Sequence, residues 1–181
     1  MKQPIAGDGD YTDGRRRWNW ESCYPKEARN ETLWEAWILL AMLAASLLFA
    51  GFFLGLAGQP FSTDIGIGRL EISFRLVAIF FTGCVGGVTF SMKWLIHAVA
   101  TGKWHLDRRF WRLMVPIMGG VYACVVMTLF SSGTFLIHTV QDTSSMAGTA
   151  ALAFMVGYFS DGVSGLLSNI ANAVFGTLEK K

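Results

Sequence analysis

Four long apolar runs, each fenced by polar residues, constrain this chain more than any other feature. They are residues 34–57, 74–97, 111–137 and 143–161. A helix rising 1.5 Å per residue needs about 20 residues to cross a ~30 Å hydrocarbon layer. The first three runs clear that length; the fourth is borderline and has polar ends. Over the whole chain 52% of residues are apolar and 15% are charged, against about 25% charged in ordinary soluble domains. That excludes a disordered chain, a coiled coil, a disulfide scaffold and an ordinary soluble enzyme. The fold class expected is an all-α membrane protein: a four-transmembrane-helix bundle followed by a C-terminal amphipathic helix.

Three regions follow: a polar N-terminal segment (1–32), the four-helix domain (33–161) and a terminal amphipathic helix (162–181), cytoplasmic or interfacial. The first run lies too far from Met1, behind Arg15, Arg16 and Arg17, to read as a cleaved signal peptide. No lipidation motif is expected at either end. Thirteen of the fifteen Lys and Arg fall on one side: in the N-terminal segment, in the loop between runs two and three with its edges, and at Lys180 and Lys181. Only Arg69 and Arg75 fall on the other. The positive-inside rule then puts both termini in the cytoplasm of a multi-pass protein. Trp34, Trp37, Trp94, Trp104 and Trp111 are expected as anchors at the same interface, where indoles suit the headgroup layer, with Trp18 and Trp20 nearby.

Lipid tails provide no force pushing helices together, so small residues must let backbones approach. Gly51 and Gly55 in the first run, Gly83 and Gly87 beside Gly86 in the second, Gly119 and Gly120 with Ala123 in the third, and Ala147, Ala151, Ala153 and Gly157 in the fourth are the packing candidates. Pro116 is expected to kink the third helix near its start. Residues 58–73 carry turn formers suited to a small hairpin, and 138–142 a tight connection.

Ionisable groups inside a bilayer are costly and usually functional. Glu35, Arg75, Lys93, His97, Arg112, His138 and Asp161 all read as lying at span ends, which withdraws support from a proton relay, a charge-coupled transporter or an intramembrane protease. His97 and His138 read as a membrane thickness apart, too far to share a haem. His97, His105 and Asp107 read as interfacial polar residues rather than a metal site. Cys23, Cys84 and Cys124 lack metal-site spacing, and the last two read as small hydrophobes, a disulfide between them being the minor alternative. No cofactor is expected, though bound lipids are. Nucleic acid is not an expected partner: RRRWNW at 15–20 is basic and aromatic, but seven acids up to Glu35 balance it. Docking of that segment on the membrane surface or on a partner subunit fits better.

From 160 to 178 the chain winds into an amphipathic helix. Val163, Leu166, Leu167, Ile170 and Val174 share one arc; Asp161, Ser164, Ser168, Asn169 and Asn172 share the opposite one. Surface-bound helices normally carry Lys or Arg on the polar face. A neutral Ser/Asn stripe suits a contact between helices or a wetted lumen in an oligomer, with a helix lying in the interface as a third possibility.

Gly157-Tyr158-Phe159-Ser160-Asp161 and the helix closing at Phe175 resemble a pattern in a family of small bacterial inner-membrane proteins with four helices. There a membrane helix ends in G-x-F-S-D or G-x-F-S-E and runs into a cytoplasmic helix that closes in Phe. Gly86-Gly87 and residues 104–116 are similar too, so the resemblance covers 83–176. Members usually show Glu and Lys where this chain has Gly165, Leu166 and Asn172. The resemblance implies a bacterial inner-membrane location and no particular activity. The expected function is a non-catalytic integral membrane subunit or anchor of a larger complex, working with other membrane subunits or copies of itself. The alternative is a homo-oligomeric channel or pore lined by the polar face of the last helix.

Overall fold

The computed structural model describes residues 22, 24–56, 61–65, 68–72, 74–131 and 146–175. The N-terminal RRRWNW stretch, His138, residues 132–145 and Lys180-Lys181 lie outside the described residues. Among the described residues there are five helices and one hairpin: α1 (Lys26–Leu56), β1 (Phe61–Ile65), β2 (Gly68–Ile72), α2 (Phe74–Ala100), α3 (Arg108–Ser131), α4 (Met146–Tyr158) and α5 (Ser160–Phe175). Three helices among the described residues, α1, α2 and α3, are long and apolar enough to cross a membrane, or four spans if the bent pair α4–α5 counts as one. The small hairpin expected at 58–73 forms, pairing Phe61 with Ile72 through to Ile65 with Gly68 in antiparallel register.

α2 is the hub: α1, α3 and α4 all pack against it, and α4 also meets α3. α1 and α3 run antiparallel to α2, and α4 runs parallel to it. Near the hairpin, stacked rings tie α1 to α2, with Phe49 and Phe81 centroids 4.9 Å apart and Phe53 lying between Phe81 and Phe74. There Arg75 Nη2 of α2 also donates to Thr149 Oγ1 of α4 at 3.2 Å. The opposite end carries Lys93, Lys103, Arg108, Arg109 and Arg112, and is called the basic end below.

α1, α2 and α3 have the length and apolar composition that suit a membrane. α1 buries one narrow stripe, Glu35, Leu39, Ser46 and Ala50, and leaves Leu40, Leu47, Leu48 and Phe52 exposed, the pattern of a rod apolar all round. Hydroxyls inside the apolar helices bond back to their own backbone: Thr82 to the Ala78 carbonyl at 2.7 Å, Thr89 to Val85 and Thr128 to Cys124 at 2.8 Å. These three hydroxyls are thereby satisfied without a partner from outside their own helix. Pro116 sits in the third turn of α3, which is one continuous described helix. α2 closes with a left-handed glycine, Gly102 at φ 70°. The Lys103 N–H reaches back to the Ala98 carbonyl at 2.9 Å and the Gly102 N–H to Val99 at 3.2 Å, the two bonds of a Schellman cap. That cap turns the chain so that Trp104 faces the bundle.

The three central helices meet through glycine. A β-carbon on Gly83 would fall 2.6 Å from Ala123 Cβ and 2.8 Å from the Gly119 carbonyl. One on Gly87 would fall 2.7 Å from Pro116 Cα, and one on Gly157 would strike the Gly83 carbonyl. Gly86 is as tightly closed, by the Phe154 carbonyl of α4. Ile79, Ala123, Val126, Met127, Ala153 and Val156 pack around this node.

Candidate functional site

Two features stand out in what the node and the loop position. The first is a buried polar cluster at the basic end. Glu35 of α1 is wholly buried and Arg112 of α3 is 3% exposed. Glu35 Oε1 accepts from Arg112 Nε, while Oε2 accepts from Arg112 Nη2 at 2.9 Å and from the Trp104 indole N–H at 3.0 Å. The fork of the guanidinium matches the carboxylate, so the pair is both charge-assisted and directional. Ser91 of α2 donates to the Arg112 backbone carbonyl at 2.8 Å. Tyr24 accepts the Trp104 backbone N–H at 3.1 Å, donates to the Ala98 carbonyl at 3.3 Å, and sets its ring edge-on to the indole. One turn earlier on α1, Glu31 pairs with Arg109 at 2.8 Å in the open. α1 thus reaches α3 through a two-rung ladder of side chains rather than by close backbone packing.

Glu35 and Arg112, both expected at span ends, are buried against each other. α1 begins at Lys26, eight residues ahead of the expected span, so Glu35 falls inside the helix and inside the bundle. Trp104, expected as an interfacial anchor, is buried as a donor to Glu35. Trp34, Trp37, Trp94 and Trp111 are exposed, as lipid- or headgroup-facing rings would be. The sequence did hold a signal. Glu31 and Glu35 are four apart on one face of α1, and Arg109 and Arg112 are three apart on one face of α3.

The second feature is the bend after α4. α4 and α5 meet at Phe159 at 92°. Gly157, one residue before α4 ends, packs on Gly83 and on Gly119, the latter the twelfth residue of the 24-residue α3. α5 therefore leaves the bundle near the middle of α3 rather than from its end. Ser160 is buried, whereas Asp161, Ser164, Ser168 and Asn169 are exposed, and Asn172 is half-buried. Ser160, Asp161 and Ser164 share a cavity of about 250 Å³ with Met114, Met118 and Tyr122 of α3. Val163, on the apolar arc, packs against the cluster around the node. Beyond these first turns α5 has no buried residue among those described.

Of the glycines expected to pack, Gly83, Gly87 and Gly157 are brought together in the node. Gly51 and Gly55 are not: a β-carbon on either meets nothing within 4 Å, so their face of α1 is open. Among the described residues no group of three or more His, Cys, Asp or Glu could hold a metal ion, and Cys84 and Cys124 are free thiols. No known family model matches this chain, and neither a curated protein nor a solved structure matches it.

Proposed function

We infer that this chain is a non-catalytic integral membrane subunit, an anchor within a larger complex of the bacterial inner membrane, with both termini cytoplasmic. The observation that carries this reading is where α5 departs. An exposed arc of Asp161, Ser164, Ser168 and Asn169 begins beside α3 between Trp111 and Tyr122. If the bundle spans the bilayer, that arc starts at hydrocarbon depth, where bare polar groups are expensive and are covered by protein or water. A neighbouring subunit that supplies hydrogen-bond partners to the Ser/Asn face relieves the cost. The open glycine face of α1 at Gly51 and Gly55 offers a second surface suited to close helix approach. The family resemblance at 157–161 supports the inner-membrane location. Gentle detergent extraction of a tagged copy, followed by the mass of the intact assembly, tests the reading. The expected result is a fixed stoichiometric set of other subunits; a pure homo-oligomer overturns it.

The second reading is a homo-oligomeric pore, favoured by one observation: apart from Asp161 at its start, the exposed arc of α5 is uncharged, as a wetted lumen allows. Under it, purified protein in lipid vesicles passes ions, and Ser164→Leu or Ser168→Leu closes the path. Ion-tight wild-type vesicles exclude it.

A further inference from the structure

At the basic end a cavity of about 460 Å³ opens between the last turns of α2 and the first turns of α3, bounded by Trp94, His97, Lys103, Arg108, Trp111 and Arg112. Arg112 is already neutralised by Glu35, through Nε and Nη2. Lys103 and Arg108 form no ion pair among the described residues, so they carry the uncompensated charge of the recess. No carboxylate is among the residues bounding it. The amino end of α3, the positive pole of its dipole, borders the same space. Trp94 and Trp111 are about half exposed and give the recess aromatic flanks, with Ala98 adding apolar wall.

Depth narrows the ligand. Trp94 lies eleven residues beyond Gly83 on α2, ~16 Å along the helix. That is about half of a ~30 Å hydrocarbon layer, which sets the recess level with the headgroups when the glycine node sits near the midplane. Indoles are at home at that level, and basic recesses between membrane helices are matched to acidic headgroups. We propose that this recess binds one anionic phospholipid: Lys103 and Arg108 hold the phosphate, and Trp94 and Trp111 flank the glycerol and upper acyl chain. The shared chemistry is a phosphate ester, which a soluble phosphate also offers. The open, aromatic-flanked side of the cavity favours the lipid. The site is separate from the α5 face and stands whether or not the subunit reading does.

The test is native mass measurement of the detergent-purified chain, titrated with phosphatidylglycerol, phosphatidylcholine or inorganic phosphate. The expected result is retention of one phosphatidylglycerol in preference to phosphatidylcholine, with no displacement by millimolar inorganic phosphate. Lys103→Gln with Arg108→Gln weakens retention about thirty-fold, two surface cations' worth. Lys103→Arg with Arg108→Lys keeps it, which separates charge from damage to the fold. Both residues are exposed, so the variants should elute as the wild type does. Equal retention of the two lipids, or unchanged retention in the Gln variant, overturns the proposal. Competition by inorganic phosphate overturns the lipid assignment and leaves a soluble phosphate site.

Discussion

Glu35→Ala is expected to cost about 3–5 kcal/mol, because it leaves the Arg112 guanidinium buried with no counter-charge. The same loss is expected from Arg112→Ala, now with an unpaired carboxylate. The informative variant is the double one. Replacing a whole buried ion pair with apolar residues of similar size is often neutral, since neither charge must then be kept out of water. Glu35→Met with Arg112→Met should therefore recover most of either single loss. What remains, about 1–3 kcal/mol, belongs to the Trp104 indole N–H left without an acceptor. Thermal midpoints in one detergent of the wild type, Glu35→Met, Arg112→Met and the double Met variant give the cycle, each single Met leaving a buried charge unpaired as Ala does. Additive losses in the double variant would mean that Glu35 and Arg112 act separately, contrary to the hydrogen bonds between them.

The glycine node carries the second large effect. Gly157→Ala adds a methyl that meets the Gly83 carbonyl, and backbone cannot swing aside as a flexible side chain does. Overpacking of this kind costs about 1–3 kcal/mol, and Gly157→Leu should prevent α4 from seating at all. Gly51→Ala and Gly55→Ala supply the contrast. Their sites are open, and alanine is favoured over glycine inside a helix by about 0.5–1 kcal/mol. They should leave the midpoint of the isolated chain unchanged or slightly raised. Midpoints that fall equally at all three positions would rule out the node as the determinant.

These two sites also mark where the sequence was legible. Residue hydropathy alone located α1, α2 and α3, because a predominantly apolar stretch of about 20 residues has few other fates. Turn formers at 58–73 were enough for the hairpin. Motifs were less telling: Gly51-x-x-x-Gly55 and Gly83-x-x-x-Gly87 read alike, and only the arrangement of neighbours decides that the second is filled and the first open. The partnership of Glu35 with Arg112 depends on α1 and α3 flanking α2, which no local window contains. Trp104 looked like a belt residue for the same reason; the Gly102 cap and an acceptor 69 positions away turn it inward. The run that forms α4 is apolar enough to be noticed, but nothing in it says that Phe159 makes a right-angle turn at half height.

The ladder between α1 and α3 has a consequence for biogenesis. Arg112 follows Glu35 by 77 residues. A ribosome adding about 5–20 residues per second needs roughly 4–15 s to make that stretch. Throughout that interval the first rod holds an acid whose mate does not yet exist, and it can settle fully only after the third has been threaded. A transcript cut short before α3 leaves this acid permanently stranded, so a truncated product betrays itself at its very beginning.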